Sequence, residues 1–144
     1  MRNKNKTVWS HRFGKANSKN FQRIGSSINV DKRLYNEDIH ASIVHTQMLV
    51  KQGIIPRKDG KKILNGLKKI KKEIDKKKFK FKEKFEDIHQ NIEKRLYQII
   101  GESAGYLHTA RSRNDQVVTD FKMWVKNASL DIDKTLTFLI RSIL

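Results

Sequence analysis

The residues best suited to chemistry lie in His108-Thr-Ala-Arg-Ser-Arg-Asn-Asp-Gln-Val-Val-Thr-Asp120, "HTARSRNDQVVTD". Its first nine residues hold a histidine, two arginines, an asparagine, an aspartate and a glutamine. Ser112 or Asn114 can cap a helix here, and Asp115 suits its first turn. The free backbone N–H groups of such a helix start, beside Arg111 and Arg113, make a carboxylate site. Asn114 and Gln116 can hydrogen-bond an amide, a carboxylate or a guanidinium. On these residues alone two readings stay open. One is a capped helix whose arginines form surface ion pairs. The other is a site that grips an anionic ligand.

A second cluster is Glu86 to Leu96, "EDIHQNIEKRL". Glu86, His89, Gln90 and Glu93 follow the i, i+3, i+4, i+7 spacing of one helix face. A single His89–Glu93 pair at i, i+4 is weak as a metal site, an exposed ion-paired face is its plain alternative, and between the two stands a packed polar surface that lines a site or an interface. A third cluster, "WSHRFGK", sets His11 and Arg12 between Trp9 and Phe13, with Ser26, Ser27 and Asp31 further on. Read alone, Ser26-Ser27 is a loop and Asp31 a helix N-cap. The sequence shows no Ser-His-Asp order, glycine-rich phosphate loop or Cys-His zinc spacing.

Helices must position these groups. Pattern reading gives four helices and little strand. Residues 1–30 are polar and irregular, an extended arm with Trp9, Phe13 and Phe21 as anchors. Asp31 is expected to cap a helix carrying Leu34, Tyr35, Ile39, Ile43 and Met48 that ends before Gly53. A second helix spans about 57–77, with Ile63, Leu64, Leu67, Ile70 and Ile74 in one stripe. "FKFKEKFED" reads as a loop or short extended piece. A third helix, about 87–100, carries Ile88, Ile92, Leu96 and Ile99. After the break at Gly101 to Gly105, a fourth starts near Asn114 and continues to Leu144, about 30 residues or ~45 Å. Its stripe of Val117, Phe121, Trp124, Ala128, Ile132, Leu136, Leu139 and Ile140 is longer than three short helices can cover, so further packing partners are expected.

The chain has 144 residues, enough for one domain with a core, and 37% of them are hydrophobic. It has no cysteine, which excludes disulfides and thiolate metal sites. No run reaches the ~18 apolar residues of a membrane helix, and no apolar segment follows the basic start as in a signal peptide. These features point to a soluble cytoplasmic protein. The net charge is +17. Fifteen Lys/Arg against four Asp/Glu fall between Lys51 and Lys84, interleaved with Ile and Leu at helical spacing. A solvated helix face and a polyanion site both fit that pattern.

"HTARSRNDQVVTD" closely resembles the signature of the argininosuccinate lyase family, which includes the lens delta-crystallins. Trp9, Arg12 and Phe13 are similar to the family's opening Trp-Gly-Gly-Arg-Phe. "SSINVDKRLYNEDIHASIVHTQMLVKQGII" resembles its first helix and the approach to it. "EDIHQNIEKRLYQIIGESAGYLHTARSRNDQ" resembles its next block almost residue for residue. The likeness covers nearly the whole chain in order. It separates this family from the fumarases, aspartases and adenylosuccinate lyases that share the fold.

The resemblance implies an all-α chain: the N-terminal helical domain of the fumarase/aspartase-type fold, over 31–112, and the first part of a long central-bundle helix, over 113–144. It implies cleavage of argininosuccinate to arginine and fumarate by β-elimination, in arginine biosynthesis, with no metal or organic cofactor. A base removes a proton beside a carboxylate, clustered positive charge and N–H donors hold the dianion, and the guanidinium leaves. Position by position, Ser27, Asp31, Arg113 and Asn114 match substrate-binding residues, and Arg111 and Gln116 support them. His89 matches a site histidine that orients rather than acts as base. The resemblance also implies a homotetramer whose sites are each built from three subunits. The family's Thr-His pair and the loop with the catalytic serine would lie beyond Leu144. The chain is therefore expected to be an N-terminal portion, inactive alone. Ser10-His11 in place of the family's Gly-Gly alters the freedom of the arm. Two readings from other classes remain: a non-catalytic structural or assembly subunit of the same fold, and a basic helical nucleic-acid binder.

Overall fold

The computed structural model describes residues 24–144. The clusters around Trp9, Arg12 and Phe21 lie outside the described residues. Among those residues the elements are helical throughout. A short helix α1 (Ile28–Asp31) leads through a 3-10 turn into α2 (Tyr35–Lys51). Next come α3 (Arg57–Asp75), α4 (Ile88–Ile100) and α5 (Arg113–Ile143). A 3-10 segment over Gly101–His108 joins the last two.

Local chemistry accounts for the boundaries. Gly53 turns the chain at φ +68° after α2, a conformation that needs no Cβ. Pro56, at φ −60°, then opens α3, where its fixed φ suits a helix start and its lost N–H costs little. The Asp87 carboxylate accepts the Gln90 N–H at 2.6 Å and caps α4. Ser112 Oγ accepts the Asn114 N–H at 3.2 Å and caps α5.

The core is built by α3 and α4. Ile63, Leu67 and Ile70 of α3 pack with Ile88, Ile92 and Leu96 of α4, closed by Ile28, Ile39, Leu49, Ile55 and Leu107. Leu64 and Ile74 are half-buried at the edge of the stripe. The interleaved lysines of α3 face outward, as the periodicity implied. Gly66 lies where the two helices cross, and a Cβ there would come within 2.5 Å of Leu96 Cδ1. "FKFKEKFED" is a loop up to a 3-10 turn at Glu83–Phe85, with Lys82 extended before it. Asn91 holds it, its side chain accepting the Lys82 N–H and donating to the Lys82 carbonyl.

Three expectations change. Residues 28–30, read as the end of an extended arm, are helical, because they form α1 with Asp31. Asp31 does not cap α2, which starts at Tyr35 after Leu34. Instead the Asp31 carboxylate reaches across to accept the Ile88 N–H, at the first turn of α4, at 3.1 Å. And the inward face of α2 is not an apolar stripe. Beside Ile39 and Leu49 it buries Glu37, Asp38, Ser42 and Thr46, while Met48 is exposed.

The 31 residues of α5 extend roughly 46 Å at 1.5 Å each. The helix buries only Gln116 and Asp120, against α2 and α4. Asn127 donates to Glu37 of α2 at 3.1 Å. Every residue from Ser129 onward is exposed, including Ile132, Leu136, Leu139 and Ile140.

Candidate active-site wall

Three helices meet where α5 begins. α2 presents Asp38 and Ser42 one turn apart, α4 presents His89 and Glu93 one turn apart, and α5 presents Gln116 and Asp120 one turn apart. The i, i+4 spacing puts each pair on one face. Each face turns toward the other two helices.

Arg113 sits at the mouth of this junction. Its Nη1 donates to Gln116 Oε1 at 2.8 Å, its Nη2 pairs with Glu93 Oε1 at 3.0 Å, and its Nε lies 3.6 Å from Asp87 Oδ2. Glu93 also accepts from His108 Nε2 at 2.7 Å, and that hydrogen bond raises the His108 pKa. Asp87 caps α4, and beside it are Asp31 and Ser27. The Ser27 hydroxyl donates to Asp31 Oδ2, and the Ser27 N–H donates to the Glu86 carbonyl at 2.8 Å. Burial, followed by the hydrogen bond from Ser27 that opposes it, leaves the Asp31 pKa raised. Ser27, Asp31 and Arg113 are thus gathered around the first turn of α4, though 86 positions separate Ser27 from Arg113. Asn114 is exposed in the first turn of α5, next to Arg113. Arg111 points the other way, to Ser42 Oγ at 2.9 Å.

Beneath this surface is a buried polar cluster. His89 is 2% exposed and its Nδ1 lies 2.9 Å from Asp38 Oδ1. The same oxygen accepts from Gln116 Nε2. Asp120 Oδ2 is 3.6 Å from His89 Nδ1, and neither Asp120 carboxylate oxygen has a hydrogen-bond partner among the described residues. Burial opposes the charge on His89, but the hydrogen bond and negative charge of Asp38 outweigh it and raise the histidine pKa. Burial likewise opposes the charge on Asp38, and His89 and Gln116 overcome it and lower that pKa. Asp120 receives no such hydrogen bond among the described residues, and the charges of His89 and Arg111 offset its burial only in part. Burial, then the charge of Asp38, push it up to about 7.

Asp38, His89 and Asp120 offer one ligand atom each within 4.8 Å of one another. Two carboxylates and an imidazole are a donor set for a divalent ion. Here, however, Asp38 Oδ1 already receives two N–H donors, which is the geometry of proton sharing. The His89–Glu93 pairing considered from spacing does not form. His89 faces the interior, and Glu93 faces His108 and Arg113. The exposed ion-paired face is corrected too, because His89 and Gln90 are both buried.

Pattern and spacing passed over Asp38, Ser42 and Asp120, and gave Glu93 only as a face partner of His89. A signal for the first two existed: Asp38, Ser42 and Thr46 recur at i, i+4 and i+8 inside a helix. Asp120 is the last residue of the conspicuous stretch itself, one turn beyond Gln116. An open cleft of ≈ 550 Å³ flanks the junction on its α2–α5 side, lined by His40, His45, Met48, Arg111, Thr119 and Met123 among others. Ser27, Asp31 and Asn114 do not line that cleft.

A family model described as lyase matches residues 11–144. A protein of Pelagibacter ubique (strain HTCC1062) called argininosuccinate lyase is 56% identical over 145 residues, covering 100% of this chain and 31% of that protein. A second argininosuccinate lyase, from Chelativorans sp. (strain BNC1), is 47% identical over 137 residues, covering 95% of this chain and 29% of that protein. The chain therefore spans about a third of the length of these relatives. With its all-helical fold and a family match running from residue 11 to residue 144, the chain belongs to the lyase family.

Proposed function

We propose that this chain supplies the N-terminal part of an argininosuccinate lyase, which cleaves argininosuccinate to L-arginine and fumarate in arginine biosynthesis. The observation that carries this reading is the gathering of Ser27, Asp31 and Arg113 around the first turn of α4, in a chain whose relatives bear that name.

The elimination needs a proton removed beside a carboxylate and positive charge to hold the dianion that results. This chain's residues suit the second task. Arg113 and the exposed side chain of Asn114 offer donors to the substrate carboxylates, and Arg111 supports them from its contact with Ser42. Ser27, Asp31 and Gln116 complete the polar wall, and Asp31 suits the substrate guanidinium. His89 orients the wall rather than acting as base, because it is buried and its Nδ1 is held by Asp38. Proton abstraction falls to the catalytic serine loop and the Thr-His pair of the longer enzyme, and the 144-residue chain alone is inactive. No metal or organic cofactor takes part.

The proposal includes a division into an N-terminal arm over 1–30, a helical domain over 31–112 and the start of a central bundle over 113–144. The enzyme is a cytoplasmic homotetramer with sites shared between subunits. The uncovered apolar length of α5 supports that assembly, since a single helix cannot shield it.

The test is a chimera in which this chain replaces the matching third of the Pelagibacter relative, assayed for fumarate release from argininosuccinate. Activity is expected, and Arg113→Ala is expected to remove most of it. A folded tetrameric chimera that forms no fumarate refutes the reading. Fumarate from the 144-residue chain by itself refutes its inactivity.

A further inference from the structure

Gln116 faces two opposite charges, and it can satisfy both in only one orientation. Its Nε2 donates to Asp38 Oδ1, and its Oε1 accepts from Arg113 Nη1 at 2.8 Å. Turned by 180°, the amide would set its oxygen against a carboxylate and its NH₂ against a guanidinium. The charge on Asp38 therefore selects the orientation of Gln116. That orientation in turn gives Arg113 Nη1 an acceptor, while Nη2 pairs with Glu93.

Asp38 presents acceptors alone on both oxygens only while it is ionised, and its surroundings keep it so. His89 of α4 approaches at 2.9 Å, and Arg111, from the turn before α5, acts on it through its charge. Asp87 and Arg113 act in turn on His89. The competing acid is Asp120 of α5, fully buried and with no donor of its own among the described residues. Two carboxylates this close in a buried site do not both ionise readily. The one with donors keeps the charge, and the one without them keeps the proton.

We propose that Asp38 is a positioning residue for Arg113, acting through Gln116, and that Asp120 is the buried acid that leaves the single negative charge on Asp38. The effect on Arg113 is a property of this chain. Its meaning for substrate binding rests on the lyase reading.

The test is NMR of the ¹⁵N-labelled 144-residue chain, following the Arg113 Nε–H signal and the His89 ring nitrogens. Assignments come from Arg113→Lys and His89→Gln. Asp38→Asn removes the charge and keeps the shape. It is expected to lower the His89 pKa by about one unit or more and to shift the Arg113 signal. Gln116→Leu cuts only the link. It is expected to shift Arg113 while leaving the His89 titration near its original position, and it serves even where Asp38→Asn fails to fold. An Arg113 signal unmoved by Gln116→Leu, or unmoved by a folded Asp38→Asn, overturns the inference. In the chimera, Asp38→Asn is expected to raise KM roughly tenfold with a smaller change in kcat, and a loss confined to kcat contradicts a positioning role. A chimera without activity sinks the lyase reading and leaves the NMR result to decide this inference alone.

Discussion

Replacing Asp120 by Asn should make the chain more stable at pH 8 while changing little at pH 5. Asp120 is fully buried, its two oxygens have no partner among the described residues, and its pKa is pushed up to about 7 by burial and by Asp38. An unfolded aspartate titrates near 3.9. Between pH 5 and 8 the folded chain thus holds a proton that the unfolded chain has already released. Stability falls as pH rises wherever the folded state binds more protons. Integrating one group with a pKa of about 7 over that window at 1.36 kcal/mol per pH unit gives a loss of about 3 kcal/mol. His89, whose pKa is raised, adds to the loss once the pH passes the unfolded histidine value near 6.5. The stabilisation from Asp38 is already complete above about pH 4 and does not vary here. Asparagine is neutral like the protonated acid, so the two chains should match at pH 5 and separate toward pH 8. For a chain of this length each kcal/mol moves Tm by roughly 3–5 °C, so the separation should be ~10 °C. Thermal unfolding followed by circular dichroism at pH 5, 6, 7 and 8 measures it. Parallel Tm curves for the two chains, at whatever offset, would refute the assignment of the proton to Asp120.

Other outcomes follow from packing and capping. Gly66→Ala puts a methyl 2.5 Å from Leu96 Cδ1 and 3.3 Å from Ile100 Cγ2. The overpacking loss of ~1–3 kcal/mol should exceed the ~1 kcal/mol helix gain, and urea unfolding should show a net destabilisation. Asp87→Ala removes the α4 cap and should cost about 1 kcal/mol, and wild-type stability in the same assay would count against the cap. Leu136→Glu with Ile140→Glu places charge on the exposed stripe of α5. Sedimentation should then show less self-association of the 144-residue chain with Tm unchanged, whereas a large fall in Tm would mean that these residues are packed within one molecule.

Periodicity was enough to find the four longer helices, because an amphipathic stripe such as Ile63, Leu67 and Ile70 records which side must leave water; the single turn of α1 is too short to carry a period. The starts of α4 and α5 were legible for the same kind of reason. Asp87 and Ser112 meet the needs of their own helix within three residues, so sequence neighbours carry the information. His89 was legible as a site residue only through the resemblance. Its surroundings were not, since Asp38 is 51 positions away.

Asp31 shows the limit most clearly. Its type announced a helix N-cap, but the amide it satisfies belongs to Ile88, 57 positions on. The sequence by itself determined the four longer helices, the apolar faces of α3 and α4 and the lysine-rich exterior of α3. Tertiary structure alone decided that Asp38, His89, Gln116 and Asp120 enclose one another. A polar residue on an inward face leaves the same pattern in sequence as one on the surface. Only the convergence of α2, α4 and α5 removes the water around these four groups, and that loss of water is what separates the proton affinities of two chemically identical carboxylates.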